Sequence, residues 1–152
     1  MKTCKEIMTK NPRCCAPSDS LQTAAQKMRN EGVGSILVCE LETMKLLGII
    51  TDRDIVVKEV AQGVNPREAI VGYAMTSNPY SCDENEDVGE AIDIMTEHQI
   101  RRLPILNKDG QLVGIISQGD IAIRNQEPQK TAQVVEKISE MPTKEYRQEH
   151  PC

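Results

Sequence analysis

Two hydrophobic periods run through this chain, and its second half repeats the order of its first. Leu21, Ala24, Ala25 and Met28 stand at i, i+3, i+4 and i+7, the apolar stripe of an amphipathic helix. Ser18 and Asp19 precede it as candidate caps and Gly32 follows as a stop, so the spacing predicts a helix ending at about Asn30. Ser35 to Cys39 and Leu46 to Ile50 are short apolar runs, predicted as strands and joined by the polar stretch Glu40 to Lys45. A further helix is predicted from Asp52 to about Ala61. Upstream, Asn11-Pro12 breaks a short opening helix, and Cys14-Cys15-Ala16 reads as a brief extended piece. One unit is therefore β-α-β-β-α.

The unit recurs. Ile7-Met8-Thr9-Lys10-Asn11-Pro12 returns 67 residues later as Ala74-Met75-Thr76-Ser77-Asn78-Pro79. Val88, Ala91, Ile92 and Met95 repeat the helical stripe, opened by Asn85, Glu86 and Asp87 and running to about His98. Arg102 to Leu106 and Leu112 to Ile116 are predicted strands, turned by Lys108-Asp109-Gly110, and the last helix of the unit starts near Gln118. Gly48-Ile49-Ile50-Thr51-Asp52-Arg53-Asp54-Ile55 returns 66 residues later as Gly114-Ile115-Ile116-Ser117-Gln118-Gly119-Asp120-Ile121, identical at five of eight positions. Between the copies, Asn65-Pro66-Arg67-Glu68 has Asn as cap, Pro at the first helical position and Glu three residues after the cap, which predicts a linker helix. After Pro128 another helix is expected, with Val134, Val135 and Ile138 as its apolar face. The division is a first repeat over 4–62, the linker over 63–73, a second repeat over 74–125, and a C-terminal helix with a polar tail over 126–152.

Each Gly-Ile-Ile block ends on a hydroxyl and a carboxylate three residues apart: Thr51 with Asp54, Ser117 with Asp120. At a strand-to-helix turn such a pair caps free backbone N–H groups, at about 1 kcal/mol each. The same carboxylate suits a ribose, because it accepts hydrogen bonds from paired sugar hydroxyls. The spacing is compatible with both roles.

Composition narrows the functions. The net charge of −5 and pI of about 5.1 argue against a nucleic-acid surface. With no Phe or Trp and only Tyr73, Tyr80 and Tyr146, the chain has little on which bases could stack. No apolar run approaches the roughly 18 to 20 residues that span a bilayer, and no apolar segment follows Met1-Lys2-Thr3-Cys4 as in a signal peptide. A cytoplasmic protein with neither membrane nor nucleic acid as partner is expected. The six cysteines, Cys4, Cys14, Cys15, Cys39, Cys82 and Cys152, form no C-x-x-C pair and fit no zinc-finger spacing. Cys15 and Cys82 are internal counterparts, which favours a structural role. No nucleophile–base pair, phosphate loop or metal triad stands out, so no enzyme is expected.

Two β-α-β-β-α units, each opening on Met-Thr-x-Asn-Pro and closing on Gly-Ile-Ile-[Thr/Ser]-x-x-Asp-Ile, resemble a CBS-domain pair, or Bateman module. Val33-Gly34-Ser35-Ile36-Leu37-Val38 and Ile100-Arg101-Arg102-Leu103-Pro104-Ile105 match it too, and the resemblance extends over about Cys4 to Arg124. The chain looks like the stand-alone single-pair bacterial proteins, including the hypoxic-response type. The resemblance implies an α+β fold in which the repeats pack by their sheets about a pseudo-twofold axis. Such packing makes sense, because one repeat alone buries only one sheet face. It also implies two clefts between the repeats that take AMP, ADP, ATP or S-adenosylmethionine, with no cofactor required. A homodimer and a downstream protein that reads the ligand state are the further partners implied.

Family roles fall on these positions. In one cleft Asp120 would hold the ribose and Ser117 would contact ribose or phosphate. Gly34, Ser35 and Ile36 would line the base, and Met8, Thr9 and Pro12 would close the entrance. Arg101 and Arg102 would bind phosphate, as an Arg fork suits. In the other cleft Asp54 and Thr51 take the ribose role, Tyr80 flanks a base, and Gly34 and Ser35 stand where the first cleft has its arginines. That cleft is expected to lack its own phosphate pair, unless Arg53 or Lys58 compensates, which makes the Asp120 cleft the better phosphate site. The alternatives are a ligand-free dimerisation or interaction module, and a thiol or metal sensor built on Cys14, Cys15, Cys39 or His98.

Overall fold

A computed structural model of the chain describes residues 2–124, 132 and 135–137. In chain order these residues form α1 (Cys4–Ile7), β1 (Thr9–Lys10), β2 (Cys14–Cys15), α2 (Leu21–Glu31), β3 (Ser35–Glu40) and β4 (Lys45–Thr51). A π-helical turn over Asp54–Glu59 and a 3-10 turn over Val60–Gln62 follow. The order then repeats as α3 (Val71–Ala74), β5 (Thr76–Ser77), β6 (Cys82–Asp83), α4 (Val88–Glu97), β7 (Arg102–Leu106), β8 (Leu112–Ser117) and α5 (Gln118–Arg124). The helix expected after Pro128 lies outside the described residues, apart from the isolated helical positions 132 and 135–137.

Two four-stranded sheets result, ordered β2-β3-β4-β5 and β6-β7-β8-β1. Under the internal repeat these orders are the same, as a pseudo-twofold requires. Within each, the long hairpin is antiparallel, β3 with β4 and β7 with β8, and a short parallel strand flanks it. The fourth strand is exchanged. β1, which opens the first sequence repeat, pairs antiparallel with β8 of the second, and β5 pairs with β4 of the first. The sequence repeats and the spatial lobes are therefore different units.

Alternate strand residues serve two cores. Ile36 and Val38 face α2 and α3, in a cluster with Leu21, Ala24, Met28, Ile50, Val71 and Ala74. Leu37 and Cys39 face the other sheet and meet Cys14 and Leu112, with Leu46, Ile49, Leu106 and Ile115 packed around them. Both faces of β3 are covered, which is why it reads as an unbroken apolar run. In the second lobe Leu103, Ile105 and Ile116 pack under α4, α5 and the exchanged α1, which contributes Cys4 and Ile7. The layers are helix, sheet, sheet, helix.

Several local expectations change. Ser20, and neither Ser18 nor Asp19, caps α2: its Oγ accepts from Thr23 N–H at 3.1 Å, because Asp19 Oδ2 is engaged by Ala16 N–H at 2.9 Å. Gly32 ends that helix in the left-handed region at φ 64, as its position suggested. Asp87, and not Asn85, caps α4. The linker helix expected at Asn65 is a single turn, in which the Asn65 carbonyl accepts from both Glu68 and Ala69 N–H. It goes no further because the carbonyls of Pro66 and Ala69 accept from Gln22 and Leu21 N–H at the start of α2. The helix expected from Asp52 to Ala61 is present but wound wide. Its run Ile55-Val56-Val57 puts three β-branched residues in succession, which weakens regular α winding.

Candidate functional site

The turn after each Gly-Ile-Ile block is locked by its own hydroxyl and carboxylate. Ser117 N–H donates to Asp120 Oδ2 at 2.8 Å, the Ser117 hydroxyl donates to the same oxygen at 3.0 Å, and Asp120 N–H donates back to Ser117 Oγ at 3.1 Å. Thr51 N–H likewise donates to Asp54 Oδ2 at 3.0 Å, and Asp54 N–H to Thr51 Oγ1 at 3.0 Å. The capping role is real at both. What differs is the second oxygen. Among the described residues Asp120 Oδ1 accepts only from the Thr9 hydroxyl, at 3.2 Å across the exchanged strand. Asp54 Oδ1 is paired with Lys58 Nζ at 2.9 Å. A diol can displace a neutral hydroxyl at little cost, whereas at Asp54 it competes with a cation already in place.

Two of the cavities among the described residues share the wall at Ser35 and Arg102. A cavity of about 210 Å³ is walled by Thr9, Pro12, Val33, Ser35, Ile36, Leu37, Ile115 and Arg102, with Asn11, Arg13 and Glu31 at its margin. This brings together Thr9, Pro12, Ser35, Ile36 and Arg102 of the predicted Asp120 cleft, and Thr9 carries the contact to Asp120. A wider cavity of about 600 Å³ is lined by Gly32 to Ser35, Ile49, Thr51, Asp52, Arg53 and Ile100 to Arg102. Here the arrangement departs from expectation. Arg101 stands with Thr51 in the first repeat's cleft, and Arg102 borders both cavities. The cause is symmetry: Gly34-Ser35 and Arg101-Arg102 are counterparts, and both open strands near the axis. Met8 lies beyond these walls, over Gly114 and beside Lys5, Lys10 and Arg124.

The model of the CBS domain matches residues 4–60 and again 69–125. The chain belongs to the CBS-domain family. Hypoxic response protein 1 of Mycobacterium tuberculosis is 37% identical over 122 residues, spanning 80% of this chain and 84% of that one. The CBS domain-containing protein YhcV of Bacillus subtilis is 34% identical over 91% of this chain and 96% of its own. Among solved structures, hypoxic response protein I with two coordinated zinc ions superposes at a TM-score of 0.73, with 36% identity over 82% of this chain and 98% of that one. CBSX2 in complex with AMP shares the fold at a TM-score of 0.69 and 24% identity, over 80% and 94% of the two chains.

The two repeats of this CBS pair differ at the margins of their clefts, in a way spacing could have revealed. Arg13 Nε pairs with Glu31 Oε1 at 3.1 Å. Their counterparts 67 residues on, Tyr80 and His98, stack with ring centroids 3.6 Å apart and planes inclined by 12°. Tyr80, expected to flank a base, thus already has an aromatic partner. Lys58, considered as a phosphate ligand, is engaged by Asp54. Asp52 was not singled out in the sequence, yet its carboxylate lies over Gly34, where a Cβ would stand 3.1 Å from Asp52 Oδ2.

Among the described residues the thiols, Cys4, Cys14, Cys15, Cys39 and Cys82, are buried. Cys15 and Cys82 sit in the two helix-side cores, and burial pushes the Cys15 thiol up. Cys39 and Cys14 approach to 3.2 Å between the sheets. A hydrogen bond from Cys39, aided by the nearby Lys27 ammonium, holds the Cys14 thiol below its ordinary value. His98 joins none of them. Among the described residues no three His, Cys, Asp or Glu side chains converge as a metal site would require. No helix of these residues is long and apolar enough to cross a membrane.

Proposed function

We propose that this CBS pair is a cytoplasmic regulatory module that binds an adenosyl ligand, AMP, ADP, ATP or S-adenosylmethionine, between its repeats. Asp120 is the ribose acceptor, Ser117 its turn partner, and the wall formed by Pro12, Ser35 and Ile36 receives the base. The observation that carries this reading is the divided use of the Asp120 carboxylate. Oδ2 locks the turn, while among the described residues Oδ1 meets only the hydroxyl of Thr9, which itself lines the smaller cavity. Ligand energy would act by favouring one arrangement of the two lobes over another, which a downstream protein reads.

The test is thermal unfolding of the reduced protein with AMP, ADP, ATP and S-adenosylmethionine in turn. A ligand at about 100 times its dissociation constant adds about 2.7 kcal/mol. A shift with one ligand that disappears in Asp120→Ala supports the reading. A flat response across the panel leaves Asp54 and Asp120 as caps and favours a ligand-free interaction module. Association between copies belongs to either reading. Val56, Val60 and Ile123 stand exposed at 56%, 51% and 85%, on the helical segments that follow β4 and β8. A homodimer joined through these faces is the proposed assembly.

A further inference from the structure

We infer that the two clefts of this CBS pair share one phosphate anchor, Arg102 with Arg101 beside it, so that phosphorylated ligands exclude one another from them. The ligand class rests on the nucleotide reading above; the sharing rests on where the arginines stand. Val33, Ser35 and Arg102 line both cavities, so the cavities meet at one wall. Arg102 is half-buried at the start of β7, paired across the hairpin with Ser117. Arg101 lines the wider cavity with Arg53. Among the described residues, no acceptor side chain pairs with Arg101 or Arg102. Arg13 is spent on Glu31 and Lys58 on Asp54, at 3.1 Å and 2.9 Å.

Of the arginines that line these cavities only Arg102 lines both, which makes the shared anchor single. In the first repeat the counterparts of Arg101 and Arg102 are Gly34 and Ser35, which carry no charge. Asp52 and Arg53 bring opposite charges to the wider cavity, so its net positive wall is that of Arg101 and Arg102. A phosphate reaching out of either cavity arrives at the same guanidinium. Its fork binds one phosphate in bidentate fashion, and a second anion at that wall meets the charge of the first. A phosphorylated ligand therefore occupies one cleft at a time, while an uncharged nucleoside is free of the restriction.

Titration calorimetry of the full chain with inorganic tripolyphosphate, AMP and adenosine tests this. Tripolyphosphate is expected to bind once per chain, and Arg102→Ala to weaken it about tenfold or more, as loss of a charge-assisted pair does. Arg101→Ala, which alters the wider cavity alone, should weaken it less. AMP should bind once per chain and be displaced by tripolyphosphate, whereas adenosine should still bind in its presence. Unfolding midpoints of both variants without anion check that they fold. Two AMP molecules bound per chain with equal affinity, AMP binding indifferent to tripolyphosphate, or no tripolyphosphate binding would each overturn the shared anchor. If tripolyphosphate binds through Arg102 while AMP and adenosine do not bind, the anchor stands and the nucleotide reading falls.

Discussion

Asp120 and Asp54 occupy the same place in two copies of one turn, yet their side chains are held differently. At Asp120 the serine hydroxyl both donates to the carboxylate and accepts the Asp120 N–H. Ser117→Ala should therefore remove both interactions and cost about 1 kcal/mol, read as a lower urea midpoint with an unchanged slope. A carboxylate on the exchanged α1 gives a pH signature. Glu6 Oε2 accepts the Thr3 N–H at 2.7 Å, and this bond, with that of the Thr3 hydroxyl, holds its carboxyl below the ordinary 4.5. A depressed folded value contributes stability above the unfolded value, and the contribution fades as pH falls through the folded one. The stability gap between the protein and Glu6→Gln should thus be open at neutral pH and close on acidification below about 4.5. Urea unfolding of both proteins across that range measures it; a gap that does not narrow would show that Glu6 acts by packing alone.

The opening Met-Thr and the closing Gly-Ile-Ile are one packing device, seen at the scale of the strand. Met75 lies over Gly48, where an added Cβ would be 2.7 Å from Met75 Sδ and 2.7 Å from the Thr76 carbonyl oxygen. Met8 lies over Gly114 in the same way, where an added Cβ would be 2.7 Å from Met8 Cγ and closer still to its Sδ. Each glycine also sits where its hairpin register shifts, opposite Val38 and Ile105. The repeated Met and Gly were legible in the sequence, and the hydroxyl and carboxylate beside them drew attention first. That each Met needs its Gly was hidden, because the partners are far apart in the chain and meet only through strand exchange. Gly48→Ala should destabilise by about 1–3 kcal/mol, since the Thr76 backbone cannot retreat. At Gly114 the three nearest atoms all belong to the flexible Met8 side chain, so Gly114→Ala should cost less. Shortening that side chain with Met8→Ala should recover part of the Gly114→Ala loss in a double-mutant cycle, and strict additivity would refute the pairing.

At the scale of the molecule, periodicity revealed two β-α-β-β-α units, and most strands and helices fall where the pattern put them. Which sheet each opening strand joins was not legible, since alternation fixes the buried face of a strand and says nothing of its neighbour. The same blindness hid that Arg101 lines the wider cavity with Thr51, which follows from both hairpins opening at one axis. The exchange has a mechanical consequence. Cys4, Ile7 and Met8 are buried in the core of the second lobe, and Cys4 and Lys5 N–H donate to the carbonyls of Glu86 and Glu84, both at 2.9 Å. Arg124 returns the contact, its guanidinium donating to the carbonyls of Ile7 and Met8 at 3.0 and 3.1 Å. Removing residues 1–10 should therefore weaken the distant second lobe more than the first. Two large apolar side chains account for about 3–6 kcal/mol of burial, a large share of a typical domain's stability. Hydrogen exchange of the truncated chain should show protection lost in β7, β8 and α4 and retained in β3 and β4. Loss confined to β2, β3 and α2, the segments that follow the deletion in sequence, would mean that the opening helix belongs energetically to the first lobe and that the exchanged strand is incidental.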